Sequence, residues 1–200
     1  MILLNSNAEH IFWLGRYLTR TQYLCSIFPF QEDEAARDYA HAFCLPAFDA
    51  SSLNELVLDP QQSISFISQF QYAQNNILDL RGVLSAQGYA ELNKLIQNAS
   101  ENAGYICDVA ADCHEVLSAE SEAVFLFFSL GQCVEDLDRQ FRLNQDARLT
   151  MDKIKHLAAA LTAVGWNGLI EALSELETAP CSVQLYQFSD HIQTMFEADA

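Results

Sequence analysis

The chain has 200 residues, 27 of them acidic and 10 basic, for a formal net charge of −17. Half of it is hydrophobic and only 18% is charged, which excludes a disordered acidic tail. The acidity also excludes a nucleic-acid binder, because little is left to neutralise phosphates. A chain of this length buries roughly 70% of its unfolded surface, enough for one real core.

The opening MILLNSNAEH lacks a basic segment and a long apolar run, so no signal peptide is expected. The most apolar runs, Ala123–Phe128 and Leu157–Val164, fall far short of the roughly 20 residues of a membrane span. The expected location is cytoplasmic. The six cysteines are Cys25, Cys44, Cys107, Cys113, Cys133 and Cys181. None forms a CxxC pair, and in a reducing compartment they are expected to be buried small hydrophobes.

Apolar residues recur at alternating steps of three and four, the period of one helix face. In the first segment they are Ile11, Leu14, Leu18, Thr21, Cys25 and Phe28, with Ser6 and Glu9 at capping-box spacing ahead of them. A second helix is predicted over 32–45, with acidic residues at its positive end and Pro46 as its stop. A short helix follows from Ser52, with Glu55 at the capping spacing, and Pro60 is expected to open a fourth. The fourth carries Phe66, Phe70, Ala73, Ile77, Leu80 and Leu84 on one side.

The fifth helix is predicted to be long, 86–117, with Gly104 marking a bend or a close helix contact. The sixth runs over 120–144, with Ala123, Phe127, Leu130, Val134, Leu137 and Phe141 facing the core. Thr150 is expected to cap a seventh that ends at Gly165, and 166–177 and 182–196 complete the series. No segment alternates with period two. The predicted fold is all-α: a single domain over 1–200, an antiparallel up-and-down bundle of seven to nine helices without a sheet.

The first and sixth helices echo one another. One reads Trp13-Leu14-Gly15-Arg16-Tyr17-Leu18-Thr19-Arg20, the other Ser129-Leu130-Gly131-Gln132-Cys133-Val134-Glu135-Asp136. A glycine inside a helix costs about 1 kcal/mol against alanine. Two at matching places suggest close approach of another helix backbone.

The stretch AEHIFWLGRYLTRTQYL resembles the opening signature of the alpha-E family, bacterial all-helical domains named for a Glu-Arg motif. Thr19 stands where that motif has glutamate, and Arg20 keeps its arginine. A second copy of the signature is similar to the sixth helix, through Leu130, Gly131, Glu135, Asp138, Arg139 and Leu143. There Gln132 and Asp136 replace the family's arginines, so each Glu-Arg pair is half eroded. A third block, at Asp59-Pro60 and then Ala73, Asn76, Arg81, Tyr89 and Asn93, resembles the family's central helix. The resemblance spans about 8–145, leaves 146–200 unaligned, and implies a shortened, divergent member. It also implies a role beside ATP-grasp ligase-like and transglutaminase-like proteins, in a system that makes or modifies peptides.

Five of the seven arginines, Arg16, Arg20, Arg81, Arg139 and Arg142, sit in these blocks. Glu135 and Asp138 share a helix face. Arg20 is therefore expected to reach Glu135 across the helix pair in a bidentate contact. The candidate binding residues are Trp13, Arg16, Arg20, Asn76 and Arg81, with Asn93, Glu135, Asp138 and Arg139. Two roles compete for them: a polar layer that fixes helix register, or a pocket for a carboxylate or phosphate. No catalytic residue is assigned: the chain has no Glu-x-x-His pair, P-loop, dinucleotide fingerprint or nucleophile elbow. No cofactor or metal is expected.

The leading expectation is a non-enzymatic helical scaffold or accessory protein. Its partner would be an ATP-grasp-like or transglutaminase-like protein, or a second copy of itself, and neither nucleic acid nor a membrane. The alternative is a helical-bundle enzyme, or a protein that binds a small molecule or peptide in an Arg/Asn/Glu pocket.

Overall fold

A computed structural model describes residues 3–101 and 103–197; Met1, Ile2, Asn102 and 198–200 of the expected 1–200 unit lie outside the described residues. The described residues form ten α-helices and one short 3-10 turn, with no strand. They are α1 (Asn5–Ile27), α2 (Asp33–Ala42), α3 (Ala50–Leu58), α4 (Phe66–Asp79) and α5 (Ala86–Glu101). There follow α6 (Ile106–Ser118), α7 (Glu122–Arg142), α8 (Arg148–Ala163), α9 (Leu169–Thr178) and α10 (Ser182–Glu197). The expected long fifth helix is two, α5 and α6, broken by the 3-10 turn Ala103–Tyr105 around Gly104. Tightening to a 3-10 turn lets the chain change direction without leaving helical backbone geometry.

Several helix starts differ from their predicted caps. Leu4 precedes α1 with no side-chain cap bond, and Ser6 lies inside the helix. At α3 the capping box is Asp49 with Ser52 rather than Ser52 with Glu55: Ser52 N–H donates to Asp49 Oδ1 at 2.7 Å. Pro60 does not open α4. Residues 60–65 make turns, and Ser65 caps the helix by accepting from Ser68 N–H at 3.1 Å. Thr150 lies buried inside α8, which begins at Arg148.

α1 is the centre of the bundle. Its face of Ala8, Ile11, Phe12, Leu14, Leu18, Thr21 and Leu24 is buried, each large apolar member contributing roughly 1.5–3 kcal/mol of burial free energy. Four helices pack around it: α4, α6, α7 and α10. α4 runs antiparallel, because His10 meets Asn76, Tyr17 meets Tyr72 and Arg20 meets Gln69 in reversed order. α10 also runs antiparallel, with Asn5 donating to the Met195 carbonyl and Gln193 donating to Glu9. α7 runs in the same sense as α1. Gly15 lies against Gly131, Arg20 reaches Glu135, and the Arg139 guanidinium covers the Tyr23 ring, each pair farther along both helices.

The cysteines depart from expectation. Cys25 at the end of α1 and Cys107 in α6 form a disulfide. Cys44 and Cys181 are exposed, and only Cys113 and Cys133 are the buried thiols predicted. Burial pushes those two thiols up, to about 12 and about 11. Among the described residues no helix is long and apolar enough to cross a membrane.

Candidate functional site

The α1–α7 contact is built on the two glycines of the echo. A Cβ on Gly15 would run into the Phe128 carbonyl oxygen, and a Cβ on Gly131 into the Phe12 carbonyl oxygen. Phe128 precedes Gly131 by three residues, as Phe12 precedes Gly15, so the contact is reciprocal. The two helices are related by a local two-fold axis through the glycine pair. Only glycine permits this approach, which repays its low helix propensity.

One turn beyond the glycines the two-fold relation predicts matched sites on opposite sides of the seam, and the two sides differ. On the first side Glu135 is buried, 4% exposed, between two arginines of α1. Arg20 Nε donates to Glu135 Oε1 at 2.5 Å and its Nη2 to Oε2 at 2.8 Å. Arg16 Nε donates to the same Oε2 at 3.0 Å. This is the predicted bidentate contact with a second arginine added. Burial pushes the Glu135 carboxyl up, but the charges and hydrogen bonds of Arg20 and Arg16 outweigh it and hold it below the usual carboxylate range. Trp13 supports the triad: the Arg16 guanidinium lies 4.9 Å from its ring centroid, and Tyr17 stacks on it.

On the second side Thr19 occupies the place of Glu135, Gln132 that of Arg16, and Asp136 that of Arg20. Among the described residues no ion pair bridges the helices there. These three residues line a cavity of about 800 Å³ that also takes in Cys133, Lys153 and His156. Thr19 Oγ1 is buried without a hydrogen-bond partner, and Asp136 turns to Arg139 on its own helix at 2.9 Å.

The remaining candidates divide. Asp138 and Arg139 lie one turn along α7. Asp138 accepts from Arg142 Nε at 2.9 Å, and Arg139 pairs with Asp136 and covers Tyr23 at 4.3 Å. Asn76 sits on α4; its Oδ1 accepts from His10 Nδ1 at 3.0 Å, while its amide N–H donates to the Tyr72 carbonyl. Asn93 is not drawn into the cluster; its amide donates to Tyr89 O within α5. Arg81 is exposed in the turn after α4, outside the polar layer it was expected to join.

Sequence reasoning left Arg142 and Gln69 out of the candidate set. Arg142 bonds the Ala42 carbonyl at 3.0 Å and the Tyr186 hydroxyl at 2.5 Å. Gln69 is buried, accepts from Arg20 Nη1 at 3.3 Å and donates to the Ser63 carbonyl at 2.5 Å. The four-residue step from Asp138 to Arg142 was the available signal for the first. Nothing in the sequence pairs Gln69 with Arg20, since α4 meets α1 only in the folded chain. Among the described residues no group of three or more His, Cys, Asp or Glu side chains could hold a metal ion.

An all-helical bundle whose central pair is locked by glycines and a shared carboxylate defines the class. Residues 3–179 match the model of the Alpha-E family, a predicted alpha-helical domain with a conserved ER motif, and the chain belongs to that family. Arg20 and Glu135 stand where the sequence resemblance assigns the two halves of that motif, one in each copy. No curated protein and no solved structure matches the chain.

Proposed function

We propose that the protein is a non-enzymatic helical scaffold, an accessory component of a system in which an ATP-grasp-like ligase and a transglutaminase-like protease make or modify a peptide. The partner class comes from the family resemblance alone. The observation that carries the non-enzymatic part is that each carboxylate of the seam is paired with an arginine. Glu135 is held by two arginines, Asp138 by Arg142 and Asp136 by Arg139. A general acid or base needs a titratable group within reach of substrate with a pKa near the working pH; Glu135 is enclosed and its pKa is driven the other way. The polar layer thus supports a register-fixing role, and the outer surface supplies contact area through exposed apolar side chains such as Phe48, Leu149 and Val183.

The test is affinity purification of the tagged chain at native expression, followed by mass spectrometry. Recovery of a ligase-like or transglutaminase-like protein in stoichiometric yield is expected, and exchanging Phe48 and Leu149 for Ser should reduce it. Turnover of a substrate by the pure chain, abolished in Glu135→Gln under conditions where the variant is folded, would overturn the reading.

A further inference from the structure

A second cavity, of about 450 Å³, opens on the other flank of Arg20, between α1, the end of α2, α4 and the end of α7. Its polar walls include Tyr17, Arg20, Tyr39, Tyr72, Asp138 and Arg142, with Ser63 and Gln69 beside them. The walls hold an excess of unused donors. Each guanidinium has five N–H groups. Arg20 spends three, on Glu135 and Gln69. Arg142 spends three, on Asp138, Ala42 and Tyr186. Two remain on each. The hydroxyls of Tyr17, Tyr39 and Tyr72 take part in no hydrogen bond among the described residues. The Tyr39 ring is buried, while its hydroxyl keeps contact with solvent at the cavity wall. Each hydroxyl is therefore open to a ligand that enters the cavity. Burial raises the Tyr39 pKa, so it remains an O–H donor.

Charge selects the ligand. Arg16, Arg20 and Glu135 together keep one positive charge, and Arg142 with Asp138 keeps none. One negative charge is therefore matched. A phosphate dianion would carry one charge too many and would lie near the Asp138 carboxylate. A planar carboxylate suits the guanidinium edges and the hydroxyls. Asp138 adds an acceptor: one of its oxygens takes Arg142 Nε, and the other is left for an N–H next to the carboxylate. Phe43, Leu45 and Ile64 supply apolar wall for a side chain.

We propose that this cavity binds an α-carboxylate bearing an adjacent N–H and an apolar side chain, the chemistry shared by a peptide C-terminus and a free amino acid. The site does not require the scaffold reading, since the pure chain should bind unaided. It does name what such a scaffold would hold.

Isothermal titration of the purified chain tests it with four probes: N-acetyl-alanyl-phenylalanine, the same dipeptide as its C-terminal amide, free phenylalanine and inorganic phosphate. The acetyl dipeptide is expected to bind, with the amide at least about tenfold weaker, the cost of leaving buried charged donors without their acceptor. Comparable binding of free phenylalanine assigns the site to amino acids, and its absence assigns it to peptide ends; both support the proposal. Tyr39→Phe keeps the ring and the fold while removing one donor, and should weaken binding about threefold to tenfold. Equal binding of acid and amide, tighter binding of phosphate, no heat from any probe at millimolar concentration, or unchanged affinity in folded Tyr39→Phe would overturn it.

Discussion

Replacing Glu135 by Gln keeps the shape of the side chain and removes its charge. The carboxylate side chain is 6% exposed, and those of the arginines it neutralises are 13% and 31% exposed. Gln offers one acceptor where two oxygens now take three N–H groups. Two positive charges would then face each other in a part-buried site. Breaking a buried pair by removing one partner costs about 3–5 kcal/mol. In a chain of this size 1 kcal/mol moves Tm by roughly 2–4 °C, so a fall of about 6–20 °C is expected. Urea unfolding at pH 7 should show a lower midpoint with an unchanged slope. The pH dependence gives a second reading. The folded Glu135 pKa lies below its unfolded value, so its contribution is complete above the unfolded carboxylate pKa and is lost as pH falls through the folded one. The gap between native chain and variant should therefore narrow below about pH 4. A loss under about 1 kcal/mol at pH 7, or a gap that is the same at pH 3 and pH 7, would refute the account of the triad.

Three other outcomes follow from the same geometry. Gly131→Ala gains about 1 kcal/mol of helix propensity but drives its Cβ into the Phe12 carbonyl; a net loss of roughly 1–3 kcal/mol, measured by chemical unfolding, is expected. Cys25→Ser opens a closed loop of 82-residue separation, for which the chain-entropy model gives about 4.5 kcal/mol; the native chain should also lose stability on reduction, and the variant should not. Thr19→Glu combined with Gln132→Arg should build on the second side of the seam the pair present on the first, with a coupling of about 1 kcal/mol or more in a double-mutant cycle, and additive effects would argue against the two-fold relation.

The helices were legible because the three-four spacing that marks a face also makes it buried: Phe66, Phe70, Ala73 and Ile77 of α4 are all in the core. Helix starts were less legible, since Ser, Asp and Thr serve as caps, interior residues or turn formers according to neighbours that the sequence does not show. Ser6 has capping spacing, yet it sits within α1, whose first turn is anchored instead by Asn5 to Met195. In the site, Arg20 and Glu135 were predictable because both lie at fixed steps from a glycine, and two echoed glycines bring those steps together. Arg81 and Asn93 came from a third block with no glycine contact to carry it to the seam. They stand outside the cluster. Cys25 and Cys107 were unreadable for a related reason: their meeting depends on how α6 crosses the end of α1, which no local spacing encodes.

The distribution of charge follows from that geometry. Of the seven arginines, Arg16, Arg20, Arg139 and Arg142 are part-buried on α1 and α7, each beside a carboxylate. Arg37, Arg81 and Arg148 are exposed, and Arg148 is itself paired with Asp146. The seam therefore consumes more than half of the arginines in internal pairs. What it leaves outside is a field set mostly by unpaired acids, within a net charge of −17. Such a field repels other acidic surfaces and speeds encounter with basic ones, by an amount that falls as salt is added. A partner that docks on this exterior must therefore present a neutral or basic face. A second copy of the chain is disfavoured there unless apolar contact outweighs the repulsion. The carboxylate-binding cavity has the opposite character, because it opens on Arg20 and Arg142, two of the cations that the seam holds. An acidic surface with a cationic recess would admit a peptide by its end while keeping acidic proteins at a distance.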